Sequence, residues 1–273
     1  MTLAISKTQV ERNFSRAAAS YDLWATPQKA IARQLIDLIP DAEKVTEVLD
    51  VGCGTGNLTA LARARYPRAS LCAMDIAPGM IEFCRRRWPD GRLAEFVVGD
   101  AEGFDLGRRF DLIVSSCAFQ WFADRARAMR NIRRHVRVGG RVALASPVAG
   151  TLAELAESYR DVMGRAMPGL NLWDGVAYEE LMEAAEAPVG LTWTATMRFR
   201  YRTPWEAFQA LRGIGATLKG HPDFRPLAVP KIKEIALAYQ RRFAQTDGGI
   251  PVTYCVWFAV SRKVNGDVGI KRH

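Results

Sequence analysis

Val48-Leu49-Asp50-Val51-Gly52-Cys53-Gly54-Thr55-Gly56-Asn57 decides the fold. A short apolar run enters three alternating glycines and then a stretch, residues 58–66, whose spacing predicts a helix. Glycines permit a tight strand-to-helix turn and a close backbone approach, and free N–H groups at a helix start favour an anionic ligand group. Several nucleotide-like ligands satisfy that. A dinucleotide fingerprint requires G-x-G-x-x-G, but the third glycine arrives one residue early. No Gly-Lys-Ser/Thr follows, so a P-loop is excluded as well.

Outward from this turn, apolar runs recur at residues 48–51, 70–75, 96–99, 111–115 and 142–146, each separated by a stretch with helical spacing. That alternation predicts an α/β fold with a mainly parallel sheet. Before it lie two helical patterns, residues 9–18 and 27–39, the second with Thr26 as cap and Pro27 at its first position. Ser20-Tyr21-Asp22-Leu23-Trp24 separates them. Late strands at 191–201 and 252–261 bracket helices at 204–218 and 230–244, and Lys263 to His273 reads as a loose polar tail.

The chain has 273 residues, 49% of them hydrophobic and 25% charged, which gives one large domain or a domain with a lid and excludes disordered and fibrous classes. No apolar run approaches the roughly 18 residues of a membrane span. Lys7, Glu11 and Arg12 stand where a signal peptide is apolar, so a soluble, cytoplasmic protein is expected. Cys53, Cys72, Cys84, Cys117 and Cys255 are scattered, which argues against a disulfide framework. His135, His221 and His273 lack ligand spacing; they read as surface residues, and no metal chemistry is indicated. Residues 149–190 are acidic and 197–242 basic, within a formal charge of +9.

Asp50-Val51-Gly52-Cys53-Gly54-Thr55-Gly56 resembles the first motif of the class I S-adenosylmethionine-dependent methyltransferases, and Cys53 reads as a small packing variant. The partners follow in order. Asp75 ends the second strand about twenty residues on, where a carboxylate takes both ribose hydroxyls, with Ile76 beside the adenine and Met80 close behind. Gly99-Asp100-Ala101-Glu102 is similar to the segment whose Asp accepts from the adenine amino group. Ser115-Ser116-Cys117-Ala118-Phe119-Gln120-Trp121 matches the loop lining the transfer site. The resemblance implies a Rossmann-like, seven-stranded sheet with its last strand antiparallel, S-adenosylmethionine as cofactor, and Asp50, Gly52, Cys53, Gly54, Thr55, Gly56, Asp75, Ile76, Met80, Asp100, Ala101 and Ser116 around it.

An amine or hydroxyl acceptor often requires a general base near the transfer loop. This loop offers Ser116, Gln120 and Trp121 and no histidine, a hint of an acceptor that is already ionised, such as a carboxylate. Asn13-Phe14-Ser15-Arg16-Ala17-Ala18-Ala19-Ser20-Tyr21-Asp22, Leu211-Arg212-Gly213-Ile214-Gly215-Ala216-Thr217 and Pro251-Val252-Thr253-Tyr254 resemble the malonyl-acyl-carrier-protein O-methyltransferases of biotin synthesis, nearly end to end. The resemblance implies methylation of a malonyl thioester's free carboxylate. Tyr21 then closes over the cofactor, Gln120 and Trp121 line the transfer site, and Arg212 is the candidate clamp for the carboxylate; Tyr254 reads as a buried strand residue.

One domain is expected over 1–273: a lid element at 1–40, a cofactor core at 41–148, helical lid segments at 149–190 and 204–250, and strands at 191–203 and 251–262. The first lid element, from Ser6 to Trp24, is expected to be mobile without ligand. Arg125, Arg127, Arg130, Arg133, Arg134, Arg137 and Arg141 face only Asp124 within their stretch, a basic face suited to an acidic acyl carrier protein. A free small acid of the trans-aconitate kind, RNA, or cofactor binding without transfer remain as alternatives.

Overall fold

A computed structural model of the chain describes residues 6–40, 45–168, 172–187, 189–216, 225–246 and 248–264. Strands β1 (Glu47–Val51), β2 (Ser70–Asp75), β3 (Glu95–Val98), β4 (Phe110–Ser116), β5 (Val136–Pro147), β6 (Val189–Tyr201) and β7 (Ile250–Arg262) form one sheet ordered β3-β2-β1-β4-β5-β7-β6. Pairing is parallel from β3 through β5, and β7 runs antiparallel to both β5 and β6. The helices are α1 (Lys7–Trp24), α2 (Thr26–Leu38), α3 (Asn57–Arg65), α4 (Pro78–Arg87), α5 (Arg125–His135), α6 (Ala153–Met163), α7 (Gly175–Ala184), α8 (Pro204–Gly213) and α9 (Val229–Phe243). This is the α/β class the alternation predicts. Among the described residues no helix is long and apolar enough to cross a membrane.

Side chains of a strand alternate between faces, so the central strands feed two cores. On one face Val48, Leu71 and Val114 meet Ile31, Leu35 and Ile39 from α2 and its end, with Leu58 of α3. On the other, Leu49, Ile113 and Leu144 meet Met129 and Ile132 of α5 and Tyr178 of α7. Ile31 and Leu35 have no exposed surface, and each such side chain contributes about 1.5–3 kcal/mol of transfer free energy.

The structure departs from the sequence reading in several places. Helix α1 does not stop at residue 18 but continues through Tyr21 and Asp22 to Trp24. Tertiary bonds hold that last turn, because Asp22 accepts from groups on the glycine loop and α4. Thr26 lies inside α2; Ala25 is the N-cap and makes no side-chain capping bond. Strand β5 starts at Val136, six residues before the expected start at 142, because α5 runs straight into pairing with Phe110. Helix α8 ends at Gly213, and the end expected at 218 lies outside the described residues.

His135 is not a surface residue: it is 9% exposed, its ring lies 4.3 Å from that of Phe104, and Nδ1 sits 2.8 Å from the Asn131 carbonyl. The stripe Ala128, Ile132, His135 explains this, since spacing of four and three carries one helix face into the core. His221, His273 and most of the tail lie outside the described residues, but Lys263 is anchored, its Nζ donating to the carbonyls of Arg133 and Val136.

Candidate active site

The strand order reverses between β1 and β4, which leaves a crevice beyond their C-terminal ends, the usual ligand position of an open α/β sheet. The glycine loop lies there. Gly52 has φ +74° and a Cβ on it would stand 2.4 Å from the Ala118 Cβ, so only glycine lets β1 turn under the loop that follows β4. At Gly54, φ +53°, a Cβ would meet nothing within 4 Å, because that side of the loop faces the crevice. The cleft holds about 980 Å³ including its open mouth, and it is lined by Asp50, Gly52, Cys53, Gly54, Thr55, Asp75, Ile76, Met80, Asp100, Ala101 and Ser116. The structure thus gathers the expected cofactor residues in one place, with Gly56 set behind them against the Trp88 ring.

Each carboxylate of the cleft is already held. Asp50 is buried and accepts from Thr59 Oγ1 at 2.6 Å; burial pushes its carboxyl up to about 7, against the Thr59 bond, with Asp75 adding to the rise. Asp75 accepts from the Gly54 and Ala77 N–H groups, both at 2.9 Å, and burial raises its carboxyl above the usual range in spite of those bonds. Each of its oxygens keeps a further acceptor site for a hydroxyl. Asp100 accepts from Lys7 Nζ at 2.7 Å, and the same ammonium reaches Glu102 at 2.5 Å. Cys53 is a packing residue, its thiol pushed up by its bond with Cys84 and by burial.

Helix α1 lies across this cleft. Lys7 ties its first turn to Asp100, and at its last turn Asp22 accepts from Thr55 Oγ1 (2.6 Å), Asn57 Nδ2 (2.9 Å) and Arg87 (2.6 Å). Two glycines allow the close approach: a Cβ at Gly79 of α4 would lie 2.7 Å from the Ser15 carbonyl oxygen, and one at Gly213 of α8 would lie 2.1 Å from Trp24 Cδ1.

Beneath the other side of α1 is a second cavity, lined by Gln120, Pro147, Thr151, Leu152, Leu211, Ile214 and Tyr254 among others. Phe14, Tyr21, Gln28, Cys117 and Trp121 line both spaces and form the neck between them. Tyr21 and Trp121 therefore sit where transfer is expected, Trp121 edge-to-face with Phe14 at 5.1 Å. Burial keeps the Tyr21 phenol neutral far above its ordinary range, and pushes the Cys117 thiol up to about 12. Gln120 lines the second cavity with its amide committed to the loop: Nε2 donates to the Cys117 carbonyl at 2.7 Å, holding a residue with φ +55°. Tyr254 is buried in β7, as expected.

Arg212 is not brought into either space. Leu211 and Ile214 turn toward the second cavity, and Arg212, a further 100° round the helix from Leu211, is exposed in a surface groove between α1 and α8 with Arg16, Ser20, Trp24 and Gln209. The expected basic face is also thinner than its arginine count. Arg125 is buried, donating to the carbonyls of Phe119 and Gln120, and Arg137 is paired with Asp111. Three residues had no site role in the sequence reading: Lys7, Asp22 and Gln28. Asp22 lies in the Ser20-Tyr21-Asp22 segment that carries the resemblance, and Gln28 is a polar residue on the stripe shared with Ala32 and Leu35.

A sulfonium cation with a carboxylate tail suits this cleft better than a phosphate does. Acidic side chains face it, and among its described lining the one basic residue is Lys7, itself paired. With the sheet order, that places the chain among the class I S-adenosylmethionine-dependent methyltransferases. Comparison with known proteins agrees: residues 48–140 match the methyltransferase domain family. The chain is 31% identical to the malonyl-[acyl-carrier protein] O-methyltransferase of Acetivibrio thermocellus over 95% of both chains. It is 31% identical to the enzyme of that name from Geobacter sulfurreducens over 95% of this chain and 100% of the relative. The crystal structure of phosphoethanolamine N-methyltransferase 2 from Haemonchus contortus shares the fold, with TM-score 0.59 at 14% identity over 92% of this chain and 57% of that one. The chain belongs to the malonyl-[acyl-carrier protein] O-methyltransferase family.

Proposed function

We propose that the protein methylates the free carboxylate of a malonyl thioester on acyl carrier protein, forming the methyl ester used early in biotin synthesis. The observation that carries this reading is the neck. Of its five residues none ionises near neutrality, since Tyr21 and Cys117 are both held protonated. A neck without a base suits a nucleophile that arrives ionised. When bound, S-adenosylmethionine supplies a methyl carbon made electrophilic by its sulfonium.

The protein's contribution is then alignment and exclusion of water. Phe14 and Trp121 wall the neck, α1 covers it, and Tyr21 offers a hydroxyl donor at the junction. Proximity and orientation of this kind contribute about 7–11 kcal/mol to a transfer. Exposed Arg16 and Arg212 supply positive charge in the groove between α1 and α8, where an acidic carrier protein would dock.

The test is incubation with methyl-labelled S-adenosylmethionine and malonyl-acyl carrier protein, with succinyl-acyl carrier protein, free malonate, trans-aconitate and bulk RNA in parallel. Label is expected as a base-labile ester on the malonyl carrier protein. Label on a free acid or RNA would replace this acceptor.

A further inference from the structure

Gln28 lies in the first turn of α2 and points into the neck. Its amide nitrogen donates to the Tyr254 hydroxyl, and its Oε1 is buried without a hydrogen-bond partner among the described residues. A buried polar atom left unpaired is costly and marks a place where a ligand is awaited. A half-turn of the amide exchanges its ends: the Tyr254 O–H then donates to Oε1, and Nε2 faces the neck as a donor. Burial holds the Tyr254 phenol protonated, so it remains able to donate.

The second cavity presents no lysine or arginine among its described lining residues. That has a chemical rationale. In methyl transfer a carboxylate oxygen forms a bond to the methyl carbon as the carbon–sulfur bond breaks, both of its electrons passing to sulfur. No proton moves, and the carboxylate loses its negative charge. A cationic clamp would bind the acceptor more strongly before transfer than during it, which deepens the ground state and slows the step. A neutral amide orients the same oxygen and loses less as the charge disappears.

We propose that Gln28, oriented by Tyr254, holds the acceptor carboxylate for transfer through an uncharged hydrogen bond, in the place first assigned to Arg212. This rests on the carboxyl-methylation reading above. It makes Gln28 a specificity-determining residue and Tyr254 a positioning residue.

The experiment measures turnover of malonyl-acyl carrier protein by the full chain, with cofactor affinity followed separately by calorimetry. For Gln28→Leu, kcat/KM on malonyl-acyl carrier protein is expected to fall by roughly ten- to a hundredfold, the range of one hydrogen bond to a charged group, with cofactor Kd changed by less than about threefold. Gln28→Glu supplies a readout that a structural role would not move. Its carboxylate repels the acceptor at pH 8, and its protonated form donates at pH 5.5, so its activity relative to wild type is expected to rise as pH falls. Tyr254→Phe is expected to raise KM more than it lowers kcat. Wild-type kcat/KM in Gln28→Leu, or a Gln28→Glu profile parallel to wild type, would overturn the inference. If Gln28→Leu does not fold, the Gln28→Glu profile decides. Absence of wild-type transfer to malonyl-acyl carrier protein would instead overturn the acceptor reading itself.

Discussion

Replacing Asp22 by alanine removes the carboxylate that ties the last turn of α1 to the glycine loop. Three bonds are lost: from Thr55 Oγ1 at 2.6 Å, Asn57 Nδ2 at 2.9 Å and Arg87 at 2.6 Å. Hydrogen bonds to a charged group contribute about 1.5–3 kcal/mol each, and the two from the loop belong at the lower end because their surroundings are only part-buried. The Arg87 side chain is 43% exposed, so solvent holds that pair to under about 1 kcal/mol. Asn57 Nδ2 keeps Thr55 Oγ1 as an acceptor at 3.0 Å, whereas the O–H of the buried Thr55 loses the carboxylate it donated to, which adds to the cost. The total is about 3–4 kcal/mol, or two to three orders of magnitude in the closing equilibrium of α1. Hydrogen exchange should therefore quicken across α1 by at least about a hundredfold while β1, β4 and β5 keep their protection. Unchanged protection in α1, or equal loss throughout the sheet, would refute the reasoning. The pH dependence has a definite sign. Burial tends to raise the Asp22 carboxyl, but the Thr55 and Asn57 bonds and the Lys29 and Arg87 charges outweigh it, leaving it below the usual value. A depressed carboxyl stabilises above its unfolded value of about 3.9, and that contribution disappears as pH falls through the folded value. The latch is expected to hold from pH 5 to 8 and to open only in stronger acid.

Asp50 behaves in the opposite sense: raised to about 7 by burial, it stabilises the ligand-free fold at low pH, and that contribution is lost as pH rises through 7. Melting without ligand should fall between pH 5 and 8 while affinity for the cationic cofactor rises, and Asp50→Asn should make both slopes shallower, with buried Asp75 keeping a slope of the same sign; a flat wild-type profile would sink the idea. Gly213→Ala should overpack α1 against α8, because the new Cβ meets Trp24, costing about 1–3 kcal/mol. Thermal melting and exchange measurements would locate the damage, and a variant with wild-type α1 protection would contradict the packing. The double variant Arg16→Ala, Arg212→Ala should raise KM for malonyl-acyl carrier protein by about three- to tenfold at low salt, with kcat and cofactor Kd unchanged. A fall in kcat at saturating acceptor would return Arg212 to the reacting carboxylate.

The glycine loop and the strand runs were legible because a parallel sheet buried on both faces writes its strands as short apolar runs. The strand order was not, since spacing alone does not say which strand lies beside which. The cofactor residues were legible because they fall one after another at strand ends, each close in sequence to its own strand. The acceptor side is assembled from distant pieces: Phe14 and Tyr21 from α1, Gln28 from α2, Leu211 from α8 and Tyr254 from β7. Arg212 was misplaced for a simple reason, that charge reads out of a sequence and helix rotation does not unless its buried neighbours are known. His135 was misread the same way, as a lone polar residue rather than as the third member of the stripe begun by Ala128 and Ile132.

Helix α1 has 18 residues, about 27 Å of rod at 1.5 Å per residue, and it closes both spaces at once. Its start is bound to Asp100, its end to the glycine loop, and Ser20 donates to the Gly213 carbonyl on the acceptor side. The two substrates thus share one door. Neither product can leave while the other is fully enclosed, so their release rates should be correlated across variants, and any substitution that loosens the rod should speed both departures together. In kinetic terms turnover would be limited by a single opening event, not by the affinity of either product.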